Sequence, residues 1–239
     1  MDPSLDDTLD DNPKTPDLFL FLASAAHDMK NSVGMLSGTL EVLLHDETIR
    51  NNPAFPQLTH MLYETGRLNN NLIQLLALYK EVGTPAYPFD PQSLDLAQFM
   101  ADIEAQNRVL LEAKGIELSI DVTPELIWIF DEDIVVGVVN HAINNAINYT
   151  NDKIHVAIVE RDGMLELRVE DNGRGYPKFM LEAGLAVNRG VNFLTGSTGL
   201  GLYFSAEAAK MHRHRGRIGS VALENGGVFD GGCFVLRLP

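Results

Sequence analysis

Along residues 22–43, apolar side chains recur in steps of four and three: Leu22, Ala26, Met29, Val33, Leu36, Leu40 and Leu43. That spacing holds one stripe on one side of an α-helix, a heptad seam. The stretch RNNPAFP, residues 50–56, ends it, because proline cannot continue a helix interior and asparagine favours turns. A second seam runs through Leu58, Met61, Thr65, Leu68, Leu72, Leu75, Tyr79 and Val82. Two helices joined by so short a break predict an antiparallel hairpin. One hairpin has a narrow apolar stripe and little of its own to bury it against. Two copies packed together make a four-helix bundle, so a homodimer is expected. The alternative is that the hairpin packs on the remainder of its own chain.

The texture changes after residue 82. VGTPAYPFDPQS, residues 82–93, carries three prolines and a glycine and reads as a linker. The organisation expected is therefore an arm over residues 1–17, a hairpin over 18–82, a linker over 83–93 and a second domain over 94–239. Within that domain, DLAQFMADIEAQNRVLLEAKG is an amphipathic helix ended by Gly115. IELSIDV and ELIWIF are strand-like, and DEDIVVGVVNHAINNAINYT is a helix whose acidic first turn suits its dipole. KIHVAIVE and MLELRVED read as paired strands joined through the turn RDG. TGLGLYFSAEAAKMH is a helix entered through glycines, and the remainder reads as strands with glycine-rich turns. The fold class predicted is a helical hairpin followed by an α/β two-layer sandwich, helices on one face of a mixed sheet.

Charge narrows the partners. The opening MDPSLDDTLDDNPKTPD is acidic and proline-punctuated, without the basic start and apolar stretch of a secretory signal. It reads as a solvated arm. A net charge of -15 argues against nucleic acid, whose phosphates are met by clustered Lys and Arg. RHRGR, residues 213–217, is the only dense basic cluster and is expected to solvate one helix end. His212 and His214 have no Cys or acidic ligand near in sequence, which disfavours a metal there. No run of about 18 apolar residues predicts a membrane span. Cys233 is the sole cysteine, which excludes an intramolecular disulfide and fits a reducing cytoplasm.

Four short stretches carry chemistry. AAHDMKNS, residues 25–32, sets His27, Asp28 and Asn31 on one helix, with His27 beside the seam residue Ala26 and so expected to face outward. NNAINYT, residues 144–150, places Asn145 on a helix; a neutral amide oxygen is a hard ligand suited to Mg²⁺. EDNGRGYP, residues 170–177, follows a strand with Asp171, Gly173 and Gly175, and a carboxylate there can accept from an exocyclic amine such as adenine's. GSTGLGL, residues 196–202, opens a helix with Gly196, Gly199 and Gly201. Glycines before a helix N-terminus let backbone N–H groups approach a phosphate chain. Neither a Walker-type loop nor a G-x-G-x-x-G after a first strand is present.

In order and spacing, these stretches resemble the catalytic core of two-component sensor histidine kinases over roughly residues 18–239. HDMKN looks like the phosphoacceptor box, NNAINYT the asparagine box, and DNGRG and GSTGLGL the two glycine boxes; GGCFVLRLP is similar to the last strand. The resemblance implies a Bergerat-type ATP-binding domain, with YPKFMLEAGLAVNRGVNFLT as a lid over ATP. It implies His27 as phosphoacceptor, with Asp28 accepting from its ring and Asn31 orienting a hydrolytic water. ATP would be held by Asn145, Asn148, Asp171, Gly173, Gly175, Gly196, Gly199 and Gly201, and Mg²⁺ by Asn145. The phosphoryl group would pass to a response regulator aspartate, and regulator phosphatase activity is implied as well. No sensor module or receiver domain is legible, so input is expected from a separate sensory protein or the acidic arm.

The chain departs from the family pattern in three places. His141 stands where a second asparagine is usual, Asn148 where a lysine is common, and Ser197 where glycine is frequent. Arg174, Lys178 and Arg189 are candidates for the missing positive charge. Two rival readings belong to other classes: a non-catalytic histidine phosphotransfer protein with a decayed ATP domain, and a relative with the ATP fold but another task, such as an anti-sigma serine kinase or a chaperone-type ATPase.

Overall fold

The structure is a computed structural model that describes residues 18–50, 52–78, 89–182 and 200–239. The apolar stripe of residues 22–43 lies on helix α1 (Leu18–His45), and the second stripe lies largely on α3 (Phe55–Leu78). Between them, Asp46 Oδ1 accepts from the backbone N–H of Thr48 and starts a single turn, α2 (Glu47–Arg50). Asn52 Oδ1 accepts from Ala54 N at 2.9 Å and turns the chain into α3. The helices pack side by side, burying Leu40, Leu44 and Leu62. Much of the expected seam stays in water: Met29, Leu36, Leu43, Met61 and Leu68 are all exposed.

The second block opens with β1 (Pro91–Asp95) and α4 (Leu96–Lys114), followed by β2 (Glu117–Val122), β3 (Ile127–Asp131) and α5 (Glu132–Tyr149). The long strands β4 (Lys153–Arg161) and β5 (Met164–Asp171) come next, then α6 (Lys178–Glu182) and α7 (Leu200–Met211). The remainder is β6 (Arg213–His214), β7 (Arg217–Ile218), β8 (Ser220–Gly226), a 3-10 turn at Gly227–Phe229 and β9 (Gly231–Leu238). β1 pairs with β3, so residues 91–93, expected to be linker, are strand. Proline is tolerated as the first residue of an edge strand, which is why its presence misleads there. RHRGR forms the short β6–β7 hairpin after α7, and Arg217 Nη1 donates to the carbonyl of Gly163 at 2.8 Å.

The five-stranded sheet runs β2-β4-β5-β9-β8, parallel between β2 and β4 and antiparallel elsewhere. Alternation along β5 sends Leu165, Leu167 and Val169 into the core with Phe234, Leu236 and Leu238 of β9. Helix α5 supplies Ile134, Val138, Ala142, Ile143 and Ile147 to the same core at helical spacing. The other residues of β5, Glu166, Arg168 and Glu170, join Arg161, Glu224 and Arg237 in an ion-pair ladder on the opposite face. Burial pushes the Glu166 carboxyl up, but the hydrogen bond and charge of Arg237, with Arg161 and Arg168, overcome it and hold the group below the usual carboxylate range.

The hairpin also rests on this block. Val109 of α4 joins Leu40, Leu44 and Leu62 in one cluster, and Tyr63 packs against the main core. Its ring lies 5.2 Å beneath the Lys114 ammonium. Arg108 Nη2 and His45 Nε2 are 3.1 Å apart across the same junction. The packing of the hairpin on its own chain thus holds in part: the second block covers one side of it and leaves Met29, Leu36, Leu43, Met61 and Leu68 exposed.

Candidate functional site

Residues of the second and third motifs meet where α5 and β5 end, and the described part of the fourth, residues 200–202, opens α7 against α5. Helix α5 is fixed at its start by Asp131, whose Oδ1 accepts from Ile134 N at 3.1 Å and whose Oδ2 accepts from Asp90 N at 2.9 Å. His212, buried at the end of α7, is locked to the same point. Its Nδ1 donates to the Ala208 carbonyl (2.9 Å) and its Nε2 accepts from Asp131 N–H (3.2 Å), which sets a neutral Nδ1–H ring. This histidine is a joint between α7 and the start of α5, not a metal ligand.

Asp171, at the end of β5, is buried, and its Oδ1 accepts from Gly173 N at 2.7 Å and Gly232 N at 3.3 Å. Among the described residues its hydrogen bonds use Oδ1, which leaves Oδ2 for a ligand. Gly173 turns so close to α5 that a Cβ there would overlap the Tyr149 carbonyl. The intervening Asn172 is structural. Its Oδ1 accepts from Thr150 Oγ1 and from the N–H groups of Asn151, Asp152 and Lys153, tying the α5–β4 loop to the end of β5. Beyond Gly175, the Asn225 side chain accepts from Tyr176 N at 2.7 Å and donates to its carbonyl at 2.9 Å. Burial pushes the Tyr176 phenol well above its ordinary range, and the Asp171 charge adds to this.

Asn145 is half-buried on α5, and its Nδ2 lies 2.9 Å from Nε2 of His141 one turn earlier. Burial pulls the His141 imidazole down to about 4, so it is neutral at physiological pH. A Cβ on Gly201, at the start of α7, would overlap that ring. Asn148 is exposed and engaged elsewhere. It donates through Nδ2 to the Tyr63 hydroxyl at 3.0 Å, and Tyr63 lies on α3. Arg174 stands 5.8 Å over the Tyr149 ring, beside the same end of α5.

The remaining expected residues are placed as follows. Asp28 and Asn31 are exposed on α1, and the side chain of His27 on the same helix lies outside the described residues. Gly196, Gly199, Ser197 and Arg189 also lie outside them. Three contributors have no expected site role: Gly231 and Gly232, quoted only as the start of the last strand, pack on Asp171, and Tyr63 meets Asn148. The paired glycines beside Cys233 carry a visible sequence signal; Tyr63, an ordinary helix residue, carries none.

Ligand chemistry fits this arrangement. Asp171 Oδ2 and the glycine-lined turn suit an amine-bearing ring. Asn145 keeps Oδ1, a hard donor, turned away from His141, and among the described residues no group of three or more His, Cys, Asp or Glu side chains gathers to hold a metal. A cation here would complete its shell with water and phosphate oxygens, as Mg²⁺ does. Among the described residues no helix is long and apolar enough to cross a membrane.

Comparison with known proteins gives the same direction. Residues 130–239 match the family model described as histidine kinase-, DNA gyrase B- and HSP90-like ATPase. Sensor histidine kinase RppB of Synechocystis sp. is 26% identical over 226 residues, which is 92% of this chain and 48% of that protein. Phosphate regulon sensor protein PhoR of Pseudomonas aeruginosa is 28% identical over 208 residues, 84% of this chain and 46% of that one. The chain thus spans about half the length of the curated relatives it matches. The Acinetobacter baumannii histidine kinase AdeS superposes with a TM-score of 0.55 at 17% identity, over 89% of this chain and 96% of that structure. At that identity the likeness speaks to fold alone, and the second block has the Bergerat-type ATPase layout of helices on a mixed sheet.

Proposed function

We propose, from its likeness to the catalytic core of two-component sensor histidine kinases, that this chain is an ATP-dependent histidine autokinase serving a response regulator. The observation that carries the reading is the Asp171 carboxylate, pinned by two glycine N–H groups on one oxygen, beside a helix that presents Asn145. Asp171 Oδ2 accepts from the adenine amine, while the turns of Gly173 and Gly175 and of Gly196, Gly199 and Gly201 bring backbone N–H groups to the nucleotide. Asn145 holds Mg²⁺ through Oδ1. When bound, the ion neutralises charge on the phosphate oxygens.

His27 attacks the γ-phosphorus through a ring nitrogen in line with the leaving ADP; a P–N bond forms as the bond to the β-phosphate oxygen breaks. Asp28 accepts from the other ring N–H and fixes the tautomer. The phosphoryl group then moves to an aspartate of the regulator, and Asn31 orients a water for its later hydrolysis. In this reading residues 18–82 form the dimerisation and phosphotransfer hairpin. A second copy covers Met29, Leu36, Leu43, Met61 and Leu68, which one chain leaves exposed. Residues 94–239 form the ATP-binding domain, the site of action is the cytoplasm, and a separate sensory protein supplies the input.

Incubation with γ-labelled ATP and Mg²⁺ tests this. Acid-labile label is expected on the wild type, absent in His27→Ala and in Asp171→Asn, with His27→Ala still binding nucleotide. Undiminished label in His27→Ala would move the acceptor elsewhere, with His60 on α3 the first suspect.

A further inference from the structure

The departure at residue 141 acquires a role from its contacts. A primary amide has one accepting and one donating end, and a half-turn about its last bond exchanges them. Left free in a half-buried site, Asn145 would present its oxygen to a cation for only part of the time. Its Nδ2 lies 2.9 Å from Nε2 of His141. An amide nitrogen has only hydrogens to offer, so Nε2 accepts and the ring proton resides on Nδ1. The amide oxygen is thereby turned away from the ring. Gly201 lies directly against the ring: His141 Cε1, Nε2 and Nδ1 are the atoms that a Cβ there would meet. His141 therefore stands between two elements, bonded to a side chain of its own helix and seated on the first turn of α7.

We infer that His141 is a positioning residue that fixes the Asn145 amide with Oδ1 toward the cation, and that Gly201 is small in order to seat its ring. This rests on the reading of Asn145 as the Mg²⁺ ligand. Groups that orient a metal ligand without touching the metal are worth about ten- to a hundredfold in metal affinity. The loss should therefore appear in the metal-dependent part of nucleotide binding and not in the adenine contact, which the proposed function gives to Asp171 at the end of β5. Gly201 couples the amide to α7, so displacing that turn disturbs the amide as well.

The test is calorimetric titration of the full chain with a non-hydrolysable ATP analogue, in Mg²⁺ and in EDTA, with melting curves to verify folding. Wild type is expected to bind more tightly in Mg²⁺ than in EDTA. His141→Ala should lose about tenfold or more of that gain with its EDTA affinity unchanged. His141→Gln, which carries an accepting oxygen on a side chain of similar reach, should recover most of it. Gly201→Ala should reproduce the loss, and the double variant His141→Ala/Gly201→Ala should be no worse than His141→Ala alone, because the collision is gone. A full Mg²⁺ gain in His141→Ala, or equal losses in Mg²⁺ and EDTA, would overturn the inference and leave the functional reading standing. Absence of any Mg²⁺ gain in the wild type would overturn both.

Discussion

Leu36 and Phe234 are both large apolar residues in regular structure, yet the first is 59% exposed and the second 1%. Leu36 stands on a helix with neighbours on one side only. Phe234 stands on a strand flanked by β5 and β8 and roofed by helices. The α/β block closes its own core; the hairpin closes one edge of its stripe on Val109, sends its Tyr63 onto the main core, and leaves the rest unfinished. A two-helix element cannot surround its own apolar side chains, so where it ends up depends on what else it meets. That difference leaves the hairpin dependent on its neighbours for burial, while the block supplies its own.

The contrast can be broken most forcefully from the core. Phe234→Ala should cost about 3–5 kcal/mol through lost burial and the cavity left behind. Chemical denaturation should show this as a lower midpoint. A cost near that of a surface change would mean that Phe234 does not stand in a closed core. Reactivity gives a second comparison. Burial pushes the Cys233 thiol up to about 12, with the carboxylates of Glu170 and Glu224 adding to the shift against Arg168. The native form therefore keeps a proton that the unfolded form gives up near its ordinary value, and this source of stability is lost as pH rises through that window. At pH 8.5, alkylation of native Cys233 should be slower than that of a free thiol by a factor on the order of 10³. A cysteine placed at Val42 of the hairpin, 74% exposed, should react at the ordinary rate. Comparable rates at the two sites would contradict the assigned burial.

Smaller effects test the junction and the open stripe. Tyr63→Phe removes both hydrogen bonds between the Tyr63 hydroxyl and Asn148 while keeping the ring under Lys114. About 1 kcal/mol of docking should be lost, read as faster hydrogen exchange in α3 with α5 unchanged. Unaltered exchange would leave the contact without energetic weight. Leu36→Gln should change single-chain stability by under about 0.5 kcal/mol, as exposed positions usually do. It should nonetheless weaken the proposed dimer in sedimentation at rising concentration. An unchanged dissociation constant would take this position out of any such interface.

Much of this arrangement is legible in the sequence because local rules govern it. Helix α4 ends at Gly115 in a left-handed conformation, and β4 and β5 are joined at Asp162 and Gly163, both at positive φ, where RDG predicts the turn. Asp171 and Gly173 come together because they are two residues apart. What escapes is tertiary. Nothing in periodicity links Tyr63 to Asn148, or His141 to Gly201, since each pair is joined only when separate helices dock. The strand pairing of Pro91–Asp95 escapes for a different reason: its proline, with two more just before it, carries the signal of a linker, and only its partner β3 reveals it as an edge. Asn148 shows what motif reading omits, for its amide meets the Tyr63 hydroxyl of the chain's own hairpin, a contact that no motif announces.

The position of β9 bears on how the molecule is made. It lies between β5 and β8, and its pairing with β5 joins Leu165 to Leu238 across α6 and α7. A chain grown from its N-terminus has β2, β4 and β5 long before the strand that joins them to β8. Until residues 231–238 emerge, both β5 and β8 offer an open row of backbone donors and acceptors to any passing strand. Closure of the sheet is therefore a late, long-range event in synthesis. A ribosome stalled before residue 231 would release a product prone to pair with its own kind instead of a smaller working domain.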